Sequence, residues 1–339
     1  MSKSLNFHRE FYSGGSSMEV RKLQKTGGST YLISLPKEWV ERMGLKQGDP
    51  IAIFVTKDGS LLLDPRHERE AERSVATINI DAKDLFREIV AKYLLGYDII
   101  QLVAKDRITY EQRMKVKATV QKLVGVEIVD EDSKKITLQC LLSPVALPVK
   151  KSLKRIYMMA SRMHMDAVDA FLNQDEELAK NVINRDDEVD RLYFLLVRQL
   201  RVAVMDPHVA RKLNLSPLEC LDYRLAVKII ESLADCAVEI CERAIEAPAM
   251  LSTDIRDKIR MLSNSAYEMH KTAFDAFYNR DKQLADTIIE KKQKFYRLLE
   301  DASATALKNG RDIVVINSVI NTLKKMGDYG EDLADLVVL

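Results

Sequence analysis

Apolar positions in the C-terminal half follow a helical rhythm. Leu153, Ile156, Tyr157, Ala160, Met163, Ala167, Ala170 and Phe171 are spaced three and four apart, which puts them on one buried stripe of a long helix. The stripe returns at Ile259, Leu262, Ala266, Met269, Ala273, Ala276 and Phe277. The sequence itself repeats with it. MHMDAVDAFLNQD at 163–175 and MHKTAFDAFYNRD at 269–281 share Met, His, Ala, Asp, Ala, Phe, Asn and Asp at matching places, 106 positions apart (269 − 163). A self-match at a fixed offset sets the architecture before any local reading. Each copy then passes Asn-x-Asp (Asn173 to Asp175, Asn279 to Asp281), short polar residues that suit a helix stop and the N-cap of the next helix. Second helices are expected over roughly 175–205 and 281–308, and third helices over roughly 217–247 and 311–338. Asp235, Glu239 and Glu242 align with Asp328, Asp332 and Asp335 at an offset of 93, so the second copy is 13 residues shorter (106 − 93) between those helices. Pro207 and Pro217 sit in the longer connection of the first copy. The pattern predicts tandem three-helix bundles over 149–247 and 252–339.

The N-terminal part has another rhythm. Residues 1–17 contain SGGSS and little periodicity; a disordered leader is expected, with Met18 a candidate start. Residues 18–66 read as a strand-like VRKLQKT, Gly27-Gly28-Ser29, TYLISLP, a short helix KEWVERMGL, the strand IAIFVTK, Asp58-Gly59 and the strand SLLLDP. Asp-Gly between apolar runs predicts a hairpin. A unit this small buries little surface alone and should need a partner chain. HEREAERS at 67–74 is a charged linker. Residues 75–146 alternate strands (ATINI, YDIIQLV, VEIVD, ITLQCLL) with two helical stretches, predicting a small α+β domain of ferredoxin-like type. It reads as a spacer, a second dimer contact or a small-ligand sensor.

Composition narrows the class. The chain has 339 residues, 47% hydrophobic and 30% charged, which suits a helix-rich soluble protein. The net charge of +1 gives no global attraction to nucleic acid, so any such site is local. Four cysteines (140, 220, 236, 241) form no CxxC pair and read as reduced thiols of a cytoplasmic protein. No apolar run approaches the ~20 residues of a membrane span, and no signal-peptide core is present. Asp186 and Asp190 are four apart on the expected second helix, as are Glu231 and Asp235 on the third, so each pair shares a helix face. Two such pairs brought together would favour a hard or borderline cation; apart, they are solvated stripes. His164 and His270, at equivalent places beside the seam, read as packed and hydrogen-bonded. Met158, Met159, Met163 and Met165 read as core filling.

Two resemblances follow from these residues. Arg21-Lys22-x-x-Lys25, Gly27-Gly28-Ser29, Leu35-Pro36-Lys37 and Gly44-Leu45-x-x-Gly48-Asp49 make 18–66 resemble the AbrB/SpoVT (swapped-hairpin) DNA-binding family. That implies an interleaved homodimer laying Arg21, Lys22 and Lys25, with Lys37 and Arg42, across DNA. Eight basic residues (21, 22, 25, 37, 42, 46, 57, 66) face six acidic ones (19, 38, 41, 49, 58, 64), but the basics group near the start and a dimer doubles the patch. The other reading is a dimerisation module with solvated lysines. Over 150–339, the repeated unit with Asp186-x-x-Val189-Asp190 and Glu231-x-x-x-Asp235, and the late Lys325-Met326-Gly327-Asp328-Tyr329, resembles the PhoU family. That implies a regulator of phosphate uptake, associated with the phosphate ABC transporter and with signalling to its genes, that can carry metal clusters on its acidic motifs. This sequence departs in the second copy, where Lys292, Tyr296 and Lys324 stand at the places of Asp186, Asp190 and Glu231 and only Asp328 persists. One metal site at most is expected, in the first copy, from Asp186, Asp190, Glu231 and Asp235, for a divalent or trivalent ion (Zn, Fe, Ni or Mg are not distinguished). Two functions remain: a transcriptional regulator of phosphate uptake, or an adaptor docking on the transporter ATPase whose N-terminal unit only dimerises. An enzyme is not expected, because no nucleophile–base pair, Gly-rich phosphate loop or metal-plus-His motif accompanies the acids.

Overall fold

A computed structural model describes residues 19–55, 59–65, 73–246 and 251–338. The expected leader, Met18, Asp58 and most of the charged linker lie outside these residues. The chain divides into two units, one ending at Glu72 and the other beginning at Arg73.

In the first unit, β1 (Gln24–Thr26) and β2 (Thr30–Leu32) pair antiparallel across the glycine turn, where Gly27 takes a left-handed φ of +64°. A short α1 (Lys37–Arg42) follows, then β3 (Ala52–Val55) and β4 (Leu61–Asp64), paired antiparallel as the hairpin pattern predicts. The unit has almost no interior. Among its described residues only Ala52 and Asp64 are buried, and α1 buries none of its side chains. Val20, Leu23, Tyr31, Leu32, Ile33, Ile53, Val55 and Leu61 are all exposed. Strand-forming sequence without a core to cover it is a fold that needs a second chain.

The second unit opens with β5 (Val75–Asn79), α2 (Leu85–Leu94), β6 (Ile99–Val103), α3 (Tyr110–Gln121), β7 (Val126–Glu131) and β8 (Lys135–Cys140). The sheet order is β5-β6-β8-β7; β5 and β6 run parallel and the other pairs antiparallel. This α+β layer is not ferredoxin-like. A ferredoxin-like sheet splits its βαβ units around an inserted strand. Here the α2 crossover lays β6 directly beside β5, and the β7–β8 hairpin adds to the far edge of β6. Asp132 closes that hairpin by accepting the Lys134 and Lys135 backbone N–H groups at 2.7 and 2.9 Å.

The remainder is helical: α4 (Val149–Asn173), α5 (Glu176–Met205), α6 (Pro207–Leu213), α7 (Pro217–Glu246), α8 (Thr253–Asn279), α9 (Lys282–Asp286), α10 (Ile288–Ala306), a 3-10 turn (Leu307–Asp312) and α11 (Ile313–Val338). The Asn-x-Asp motif acts the same way twice. Gln174 and Arg280 end α4 and α8 in the left-handed conformation, and Asp175 and Asp281 then cap the next helices by accepting the N–H of Leu178 (2.9 Å) and Leu284 (3.0 Å). The copies differ where their lengths differ. The longer connection of the first holds α6, with Pro207 in its opening turn. The second helix of the other copy breaks at Thr287 into α9 and α10. The two seams bury against each other in one continuous core. Gly330 lets α11 approach α8 closely, since a Cβ there would lie 2.8 Å from the His270 nitrogen.

Helix α5 also grips the sheet layer. The Arg198 side chain is 2% exposed. Its guanidinium donates to the carbonyls of Tyr93 (2.6 Å), Tyr97 (3.0 Å) and Gly96 (3.2 Å), at and just beyond the end of α2, and lies over the Tyr93 ring. Gln199 donates to the carbonyls of Pro144 and Leu147 at 2.7 and 2.8 Å.

Candidate functional site

The packing of α5 on α7 brings the four first-copy acids into one electrostatic neighbourhood. Burial, then the charges of Asp190, Asp235 and Glu231, pushes the Asp186 carboxyl up to about 7. Burial and Glu231 push Asp235 up to about 6. Asp190 is raised by burial and by Glu231, with Lys122 and Lys228 working the other way. One oxygen of Asp186, Oδ1, is buried with no hydrogen-bond partner. Lys228, a residue that the spacing argument missed, pairs with Glu231 and supplies part of the missing positive charge. Among the described residues no group of three or more His, Cys, Asp or Glu side chains stands in an arrangement that holds a metal ion. The cluster thus combines like charges that raise one another with one orphaned acceptor, and it has an ammonium beside Glu231.

The equivalent place in the second copy is filled from within. Tyr296 donates to Asp328 Oδ1 at 2.8 Å, Lys324 donates to its Oδ2 at 2.6 Å, and Lys292 pairs with Glu331 at 2.5 Å. Both oxygens of the surviving acid are therefore engaged.

Between the copies lies a polar chain inside the apolar core. Tyr157 Oη and His270 Nδ1 are 3.0 Å apart, His270 Nε2 and His164 Nδ1 3.0 Å, and His164 Nε2 and Ser263 Oγ 3.1 Å. Tyr157 and Ser263 are 106 apart, as are the histidines, so the chain straddles the internal repeat (263 − 157 and 270 − 164). Both rings are fully buried. Burial drives His164 down to about 4 and, with the neighbouring ring, His270 well below the ordinary histidine range. A neutral pair can make the His–His hydrogen bond, one ring donating and one accepting. The recurrence was visible in sequence; the pairing was not.

In the first unit Arg21, Lys22, Lys25, Lys37 and Arg42 are all exposed. Arg21 pairs with Glu19, and Lys37 with Glu41 at 3.6 Å. Lys25 sits opposite Tyr31 in the β1–β2 register, with its ammonium 5.9 Å from the ring centroid. Lys37 and Arg42 are five residues apart on α1, about 140° around it, so they do not share a face. Lys25 lies in β1, and Arg21 and Lys22 precede it.

Compared with known proteins, residues 153–244 and 259–337 match the family model of the PhoU domain. Residues 24–71 match the family described as antidote-toxin recognition MazE, bacterial antitoxin. The chain is 33% identical over 102 residues to the phosphate-specific transport system accessory protein PhoU homolog of Aquifex aeolicus (strain VF5), covering 29% of this chain and 46% of that relative. It is 25% identical over 178 residues to the phosphate-specific transport system accessory protein PhoU of Serratia marcescens, covering 52% and 69%. The crystal structure of PhoU from Pseudomonas aeruginosa shares the fold with a TM-score of 0.50 at 20% identity, covering 56% of this chain and 93% of that one. The chain spans less than half of the Aquifex relative.

Proposed function

The chain belongs to the PhoU family, and from that premise we propose that it is a transcriptional regulator of phosphate uptake, in which a dimeric N-terminal unit holds DNA and the helical repeats report phosphate status. One observation carries this reading. The same chain that bears the PhoU repeats also bears a MazE/AbrB-like unit whose apolar strands lack cover and whose basic first strand is exposed. Pairing two such units would bury the eight exposed hydrophobic side chains and double the Arg21, Lys22 and Lys25 patch. Contacts from these residues go to phosphates, so they set affinity and its salt dependence more than sequence choice. The first-copy acids Asp186, Asp190, Glu231 and Asp235 would hold a divalent cation, neutralising a cluster that now relies on protons and Lys228.

The names of the relatives, accessory proteins of a phosphate-specific transport system, favour a second reading, an adaptor on the transporter ATPase. A gel-shift series separates the two. With the promoter of its own gene as probe, the regulator binds with affinity that falls steeply from 50 to 200 mM salt, in the manner expected of several phosphate contacts. The Arg21→Ala/Lys22→Ala/Lys25→Ala variant loses that binding. No shift on any promoter fragment at low salt favours the adaptor.

A further inference from the structure

The face of α4 turned away from the seam carries a row of cations. Lys151, Lys154, Arg155 and Arg162 are exposed, and among the described residues none of them is in an ion pair. With Arg185 of α5 and Tyr278 of α8 they line an open cleft of roughly 550 Å³. Glu188 is the one acid lining that cleft, so the charge there is +4 (five cations less one acid). Arg185 gives one nitrogen to Asp166 at 2.5 Å, yet its Nε is buried without a partner. The ammonium of Lys154 lies 5.7 Å from the centre of the Tyr278 ring.

The second copy shows that helix packing alone does not require this charge. At the places of those four cations, of Arg185 and of Glu188 it has Asp257, Arg260, Met261, Glu268, Lys291 and Lys294, a sum of +1 (three cations less two acids). Two of its three cations are also paired across elements, Arg260 with Asp169 at 3.2 Å and Lys291 with Glu268 at 3.6 Å. The same scaffold therefore exists in a nearly neutral form and in a form where four cations of one helix, none of them in an ion pair among the described residues, line a concavity. Crowded like charges repel one another and gather counter-ions, and guanidinium groups match phosphoryl oxygens two at a time. Lys151 to Arg162 spans 11 residues of helix, about 16 Å at 1.5 Å per residue. A single orthophosphate cannot reach along that row; a chain of phosphoryl groups can.

We propose that this cleft binds a small molecule bearing a run of phosphoryl groups, either a linear oligophosphate or a nucleoside polyphosphate. The site lies wholly in the helical repeats and does not depend on the DNA reading above. Calorimetric titration of the full chain with tripolyphosphate, ATP and orthophosphate in 50 mM salt tests it. The expected result is one-to-one binding of tripolyphosphate or ATP, at least tenfold tighter than orthophosphate. The Arg155→Ala/Arg162→Ala variant then weakens it tenfold or more, while the charge-matched Lys212→Ala/Lys308→Ala variant changes it less than twofold. ATP binding tighter than tripolyphosphate assigns the Tyr278 wall to a base; equal affinity assigns the site to the phosphoryl run alone. Both exchanged arginines are exposed, so circular dichroism should show an unchanged fold. No binding of either polyphosphate, orthophosphate binding as tightly as they do, or equal loss in both double variants overturns the proposal.

Discussion

At the scale of single residues, the buried histidine pair and the first-copy acids pull the pH dependence of stability in opposite directions. His164 and His270 are neutral when folded, with pKa values below the ordinary ~6.5 of the unfolded chain. Between about pH 6.5 and 4 the unfolded state binds protons that the native pair refuses, so the histidines make stability fall as pH drops, by up to about 1.4 kcal/mol per pH unit for each. Asp186 and Asp235 are raised to about 7 and about 6, so below those values the native state holds extra protons and the acids make stability fall as pH rises. A His164→Gln/His270→Gln variant removes the first effect. Measured by urea unfolding, it should be less stable overall and should lose stability as pH rises from 4.5 to 6.5, with a slope more negative than wild type; parallel profiles would refute the neutral pair. For the acids, wild type stripped with a chelator and reloaded with Zn²⁺ should retain metal that Asp190→Ala does not; equal metal content in both ends that assignment. The i,i+4 spacing made these acids legible in the sequence. Lys228 was not, because an ammonium three residues before Glu231 reads as an ordinary exposed pair. The histidine contact was hidden for another reason: two positions 106 apart meet only after both copies fold against each other.

At the scale of elements, what could be read was what is local. The Asn-x-Asp stop-and-cap signal, the hairpin of the first unit and the seam helices rest on spacing within a few turns, and the chain adopts them. The order of strands in the α+β layer rests on pairings between distant segments, which is why a ferredoxin-like sheet was expected and a β5-β6-β8-β7 sheet is found. The link between that layer and the repeats was equally illegible, since a lone Arg-Gln pair in a helical stretch carries no signal. Yet α5 bears Asp186 and Asp190 near its middle and the Arg198 and Gln199 grip two turns further along, and Lys122, just past α3, pairs with Asp187 at 3.1 Å beside the acids. Charge at the cluster and the position of the sheet layer are therefore tied to one rigid rod. Arg198→Ala should remove three charge-assisted hydrogen bonds from a side chain that is 2% exposed, and cost about 2–4 kcal/mol in denaturant unfolding. Arg198→Lys should recover little, because an ammonium cannot fork to all three. A loss under 1 kcal/mol for the alanine variant would show that the grip is incidental.

At the scale of the whole molecule, a duplicated helical body with two unequal halves is joined to a small β unit that is incomplete as a monomer. The halves share a scaffold, but where the first carries Asp186, Asp190 and Glu231 the second carries Lys292, Tyr296 and Lys324, and where the first carries a row of four cations on α4 the second has one cation and two acids. Duplication supplied the fold, and divergence left the chemistry on one side. The exposed strands of the N-terminal unit are the reason to expect a second chain, and the proposed DNA contact rests on the exposed Arg21, Lys22 and Lys25. Chromatin immunoprecipitation of the full-length protein from its host, grown in low and in high phosphate, tests the joined function most directly. The expected result is enrichment at promoters of phosphate-uptake genes that changes severalfold between the two media and disappears in the Arg21/Lys22/Lys25→Ala strain. Absence of promoter enrichment in both media, with the protein instead recovered on the transporter ATPase, would contradict it.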